Sequence, residues 1–176
     1  MAIGRRLLTF AGAALLGSGC AVAAQSTPEY QAKVVLMDKL TRFVDWPRGA
    51  EPGRAFALVV LGRTPFGDEL DSYFATRTLK NRPVTVRYLH QFSELGECDM
   101  LFICASEKPR LAGILEQVKG RPILTVADTE GFARAGVMVG LVRTGARIGF
   151  EVNLAPTRES GLRMAPGFLQ LATLVP

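Results

Sequence analysis

Ala55-Phe56-Ala57-Leu58-Val59-Val60-Leu61 is an uninterrupted apolar run of strand length. A strand with one wet face alternates apolar and polar residues. A run without alternation is covered on both faces, the habit of strands in parallel sheets with helices above and below. Gly62-Arg63-Thr64-Pro65-Phe66-Gly67 ends the run. A helix is expected to start at Thr64 and Pro65 and to carry Leu70, Tyr73 and Phe74 on its apolar face.

The pattern repeats outward from there. Upstream, Thr27 caps a helix whose first position is Pro28, where the missing N–H costs nothing. Tyr30, Val34, Met37, Leu40, Phe43 and Val44 recur at helical spacing, Leu36 widens the face, and Trp46-Pro47 stops it before a turn-rich loop over 47–54. Downstream, residues 84–89 alternate as a second strand and 100–104 form a third. Ser106 is placed to cap a helix carrying Leu111, Ile114, Leu115 and Val118, and 122–126 form a fourth strand before a loop over 128–135 with a helical turn. Residues 137–143 and 147–152 flank Thr144-Gly145-Ala146, the clearest hairpin of the chain. A helical turn over 156–160 and a short apolar helix over 168–174 close it. Strands alternating with helices imply a single α/β domain. Its sheet is mostly parallel and flanked by helices, with a C-terminal antiparallel hairpin at one edge.

The first 24 residues read differently. Arg5 and Arg6 precede an apolar stretch over 7–16, and small residues follow to Ala24 without an acidic side chain. This is the order of a secretory signal peptide, and about ten apolar residues are half the length that spans a bilayer. Ala21-Val22-Ala23 and Val22-Ala23-Ala24 both suit the peptidase, so cleavage is expected between Ala24 and Gln25, leaving residues 25–176 as one exported domain. Leu16-Gly17-Ser18-Gly19-Cys20 has the small residues and the cysteine of a lipoprotein signal, but Gly17 stands where a leucine is expected. Plain cleavage into the periplasm is the reading, with a lipid on Cys20 as the alternative.

The net charge of +5 falls to +3 once Arg5 and Arg6 leave with the leader. Arg42, Arg48, Arg54 and Arg63 are interrupted by Asp45 and Glu51, and a nucleic-acid footprint needs basic residues clustered on one face. Of the cysteines, Cys98 and Cys104 remain after cleavage. They bracket a strand, which holds their Cα atoms about 20 Å apart, whereas a disulfide needs less than about 7 Å. Buried free thiols are expected.

No catalytic constellation emerges. His90 is the single histidine, no G-x-S-x-G supplies a nucleophile, and one histidine with two unpaired cysteines does not make a zinc site. Gly62 to Gly67 lies where a phosphate loop would, but it lacks the Lys-Ser/Thr ending, and Asp68, Glu69 and Asp71 would repel a phosphate. No catalytic residue, metal ligand or cofactor site is assigned. Phe43 and Trp46 read as core residues at a helix end, Trp also being a frequent interface anchor. Glu151 and Asn153 lie on one strand face, as structural hydrogen-bonders or as ligand contacts. In parallel sheets ligands sit at the carboxyl ends of the strands. That makes Arg63, Thr64, Ser106, Asp128 and Thr129 candidates for one cleft.

Several stretches together resemble a known family. They are Phe43-Val44-Asp45-Trp46-Pro47, Val60-Leu61-Gly62 with Pro65-Phe66-Gly67, Asn81-Arg82-Pro83-Val84, Cys98 with Leu101-Phe102-Ile103, and Pro122-Ile123-Leu124-Thr125-Val126 before Asp128 and Gly131-Phe132. Met138-Val139-Gly140-Leu141-Val142, Phe150-Glu151-Val152-Asn153-Leu154 and Gly161-Leu162 complete the series. In this order they resemble the YfiR family of periplasmic proteins. The resemblance implies a non-enzymatic regulator, a homodimer. It would repress a diguanylate cyclase or related sensor kinase of the inner membrane by binding its periplasmic domain, lowering cyclic di-GMP and biofilm formation. Membrane association would come through that partner, with no nucleic acid bound. A small-molecule-binding periplasmic sensor module is the alternative.

Overall fold

The computed structural model describes residues 28–47, 53–145 and 147–176. The leader, Cys20, the Ala24-Gln25 junction, Thr27 and Ala146 lie outside the described residues. The elements run α1 (Pro28–Arg42), β1 (Val44–Asp45), β2 (Phe56–Leu61), α2 (Glu69–Phe74), β3 (Thr78–Leu79) and β4 (Arg82–Leu89). Then come β5 (Met100–Ile103), α3 (Leu111–Val118), β6 (Leu124–Ala127), β7 (Val139–Thr144) and β8 (Arg147–Asn153). The chain finishes with α4 (Leu154–Glu159), β9 (Arg163–Met164), α5 (Pro166–Leu169) and β10 (Thr173–Val175).

One eight-stranded sheet, in the order β10-β8-β7-β6-β5-β2-β4-β3, organises the molecule. β4, β2, β5, β6 and β7 are parallel neighbours, and β7 turns back into β8 as the expected antiparallel hairpin. The apolar run behaves as its lack of alternation requires. Phe56, Leu58 and Val60 enter a core with Val34, Met37 and Leu40 of α1, Leu70 and Phe74 of α2 and Phe168 of α5. Val59 and Leu61 enter a second core with Leu111, Ile114 and Val118 of α3. β5 divides in the same way, Met100 and Phe102 to one side, Leu101 and Ile103 to the other. Each such side chain stabilises the fold by about 1.5–3 kcal/mol relative to exposure.

Four expectations need correction. α1 ends at Arg42, because Val44 and Asp45 extend to pair with Met164 and Arg163 instead of continuing the helix. α2 begins at Glu69, not Thr64, since the segment after β2 is spent on turns. Ser106 caps no helix: Ala105–Arg110 is a 3₁₀ helix with Pro109 inside it, and the α-helix starts only at Leu111. The expected final helix stops at Leu169. Thr173–Val175 is instead a strand parallel to β8, so β10 lies outside the hairpin at that edge of the sheet. Among the described residues no helix is long and apolar enough to cross a membrane.

Candidate functional site

The carboxyl rim of the parallel strands holds most of the candidate residues. Gly62 leaves β2 with φ of +99°, a conformation that favours glycine, and a Cβ there would come within 2.7 Å of Glu107 Oε1. The chain itself fills this crevice. Ser106 Oγ accepts from the Arg63 amide at 2.9 Å and donates to Glu107 Oε1 at 3.3 Å, and Glu107, 2% exposed, pairs with Arg110 at 2.8 Å. Thr64 Oγ1 accepts from the Phe66 amide at 3.2 Å. Arg63 and Ser106 are therefore brought together, through the backbone of the first and the hydroxyl of the second.

Asp128 stands at the end of β6 with a different set of partners. Lys33, 4% exposed, reaches it from α1 with Nζ 2.7 Å from Oδ2, while Glu29 Oε1 lies 2.7 Å on the other side of the same ammonium. Arg143 closes the series with Nη1 3.2 Å from Glu29 Oε2. The Lys33 ammonium also lies 4.4 Å from the centre of the Tyr30 ring. Burial works against the Lys33 charge, but hydrogen bonds to Asp128 and Glu29 outweigh it and raise its pKa. The same bond from Lys33 lowers the pKa of Glu29. Burial, with Asp128 nearby, raises that of Tyr30. The carbonyl of Thr129 accepts from the Phe132 amide in the turn that follows.

The remaining candidates lie elsewhere. Asn153 is buried and structural. Its Oδ1 accepts from the Ala155 amide that opens α4, and its Nδ2 donates to the carbonyls of Ala133 at 3.0 Å and Pro176 at 2.7 Å. Glu151 is half-buried on β8, paired in register with Gly140 and Thr173. Trp46 packs edge-on against Phe56 and donates its indole N–H to the Asp99 carbonyl at 3.2 Å. Phe43 is not the core residue expected. It is 39% exposed because the helix ends before it, and it stacks on Phe168 at 5.8 Å. His90 is exposed just beyond β4. Both cysteines are free, and burial pushes each thiol up to about 12.

Two groups escaped sequence reasoning. Lys33 occupies a position three residues after Tyr30 and four before Met37, so it lies on the apolar stripe of α1, and a lone lysine there is the signal of a buried cation needing a partner. Asp99, at the opposite, amino-terminal rim, binds Arg54 at 2.7 Å, Arg82 at 2.6 Å and the Ala57 amide at 2.8 Å. An acidic residue directly before an apolar strand is the signal there.

Among the described residues every buried side-chain nitrogen and oxygen has a hydrogen-bond partner, so the rim's buried charges hold the molecule together. The exposed large apolar side chains, which could meet another surface, are Phe43, Tyr88, Leu171 and Leu174. The architecture and the resemblance noted from sequence meet in one finding. The YfiR/HmsC-like family model matches residues 30–173, almost all of the described structure, and the chain belongs to that family.

Proposed function

We propose that the protein is a periplasmic regulator. It is exported by the leader over residues 1–24 and cut between Ala24 and Gln25. It then binds the periplasmic domain of an inner-membrane diguanylate cyclase, or a related sensor kinase, and holds it inactive, so that cyclic di-GMP and biofilm formation stay low. The observation that carries this reading is the family match across 30–173, since the YfiR/HmsC-like family is regulatory rather than catalytic.

The rim supports the same reading. Its buried polar groups are satisfied within the chain, which suits a protein that works through its surface. Phe43 stacks on Phe168, and the Leu171 amide bonds to the Phe168 carbonyl, so Phe43 and Leu171, 73% exposed, belong to one neighbourhood. Leu174, 53% exposed, follows on β10, and the stretch 166–176 has no charged residue. In this proposal that uncharged apolar end is where the cyclase docks, since contiguous exposed apolar surface marks interaction sites.

The test is cellular cyclic di-GMP in a clean deletion against its parent, with the gene restored as control. A rise that complementation reverses supports repression. Unchanged cyclic di-GMP and biofilm formation would sink it.

A further inference from the structure

We infer that the cleft between α3 and the segment following β4 binds an uncharged sugar. Its place comes from the topology. β2 and β5 are parallel neighbours, but β2 is followed by α2 on one face of the sheet and β5 by α3 on the other. The chain therefore leaves them in opposite directions. In open α/β sheets the crevice at such a point, outside the carboxyl ends of the strands, is where ligands bind. Ser106 and Glu107 fill it beside Gly62. Past Glu107, on the α3 side, it opens into a cleft of about 740 Å³, within the size range of small-molecule sites.

Gly113 is a second observation at the same place. It stands inside α3, a helix of eight residues, and lines the cleft. Glycine weakens a helix interior relative to alanine, and its structural uses are a positive φ or a close approach of neighbouring atoms. Gly113 serves neither, since a Cβ there would meet nothing within 4 Å. What the missing side chain does is leave the cleft open.

The lining selects the ligand. Arg110 Nη2 lies 2.9 Å from Glu107 Oε1 and 2.8 Å from Oε2, so the buried carboxylate both neutralises the guanidinium and fixes it. The Nε and Nη1 of Arg110 have no partner among the described residues and remain as donors. Among the described residues no other lysine, arginine, aspartate or glutamate lines the cleft. A charged ligand would bring a charge that nothing there balances, whereas hydroxyls need only donors and acceptors. Both are present. Gln117 donates its Nε2 to the Gly113 carbonyl at 3.1 Å, which leaves its Oε1 as an acceptor. Gln91 and Ser93 supply an amide and a hydroxyl from the segment after β4, while Phe92 and Ile114 add apolar surface. Hydroxyls around the edge and C–H groups on the faces, the makeup of a pyranose ring, match that lining.

The site does not rest on the regulatory reading, and it is tested by titrating the leader-free protein in proton–nitrogen NMR correlation spectra. Glucose and N-acetylglucosamine are the uncharged probes, glucuronate and glucosamine their charged counterparts. At least one uncharged probe is expected to saturate with a Kd of about 1 mM, shifting amides within residues 90–93 and 107–117. The charged counterparts are expected to bind about tenfold more weakly. Gly113→Leu fills the cleft at a position free of crowding, and is expected to abolish the shifts with a melting temperature no lower than that of the wild type. Gln117→Ala, a change at an exposed side chain, is expected to weaken binding about tenfold with the fold unchanged. Absence of saturable shifts with both uncharged probes would overturn the inference, as would equal binding of a charged counterpart. So would shifts confined to other residues, or a folded Gly113→Leu or Gln117→Ala variant that binds like the wild type.

Discussion

Lys33 Nζ donates to Asp128 Oδ2 at 2.7 Å across 95 residues of sequence, joining the first helix to the end of a central strand. Both side chains are nearly inaccessible, at 5% and 8% exposure. Removing one partner of a buried pair leaves the other charge uncompensated. Asp128→Ala is therefore expected to cost about 3 kcal/mol, read as a lower urea midpoint with unchanged slope. A loss below about 1 kcal/mol would show that Glu29 alone satisfies Lys33.

Asp99 does the corresponding work at the other rim. It binds two arginines and the Ala57 amide through its side chain, and its own amide and carbonyl bond to Ala57 and Leu124. Asp99→Ala should lower stability by about 3–5 kcal/mol, and Arg54→Ala by less, because Arg82 stays in place. Equal effects of the two in a thermal melt would contradict this ranking.

Glycine positions separate strain from crowding. Gly62 has φ of +99° and no room for a Cβ, whereas Gly120 has φ of +70° with nothing within 4 Å. Gly120→Ala is expected to cost about 1 kcal/mol from the backbone alone. Gly62→Ala should cost clearly more, since Ser106 and Glu107 must move. Chemical denaturation of the pair decides it; similar losses would mean the rim yields easily.

Alkaline pH should weaken the fold through its thiols. Both folded thiols ionise near 12, whereas an unfolded cysteine ionises near about 8.5. A raised folded value contributes stability that is fully present below about pH 8.5 and is lost as pH climbs toward 12. Lys33, also raised, adds to the loss higher in that range, above about pH 10.4. Unfolding free energy measured against pH is expected to fall above about 8.5, and to fall less steeply in Cys98→Ser with Cys104→Ala. Parallel curves would refute the assignment.

For the regulatory role, Leu171→Arg and Leu174→Arg together test the apolar end. Both side chains are exposed, so stability should change by no more than about 0.5 kcal/mol each. In cells the double variant should raise cyclic di-GMP toward the deletion level. A stable variant that still represses would move the docking surface elsewhere.

Sequence legibility tracked how local the deciding force was. β2 was readable because its apolar run needs cover on both faces whatever the neighbours, and the β7–β8 hairpin because Gly145 sits between two apolar runs. β10 was not readable. Thr173-Leu174-Val175 suits either helix or strand, and the choice was made by β8, more than 20 residues earlier in register. Ser106 looked like a cap because its type and place were right, but Pro109 sits within a 3₁₀ turn and the Arg63 amide takes the hydroxyl. For Lys33 the position on the apolar stripe was visible, while its partner could not be found by any local pattern.

β2 is an interior strand of the sheet, yet both strands that flank it follow it in the chain. Until residues 82–103 have arrived, Phe-Ala-Leu-Val-Val-Leu is a six-residue segment of high β-propensity without charge or proline. That is the composition from which cross-β aggregates nucleate. The stretch that organises the native molecule is thus also its principal aggregation hazard. A chain stalled before β4 and β5 are available would be expected to be lost to self-association rather than to wait for them.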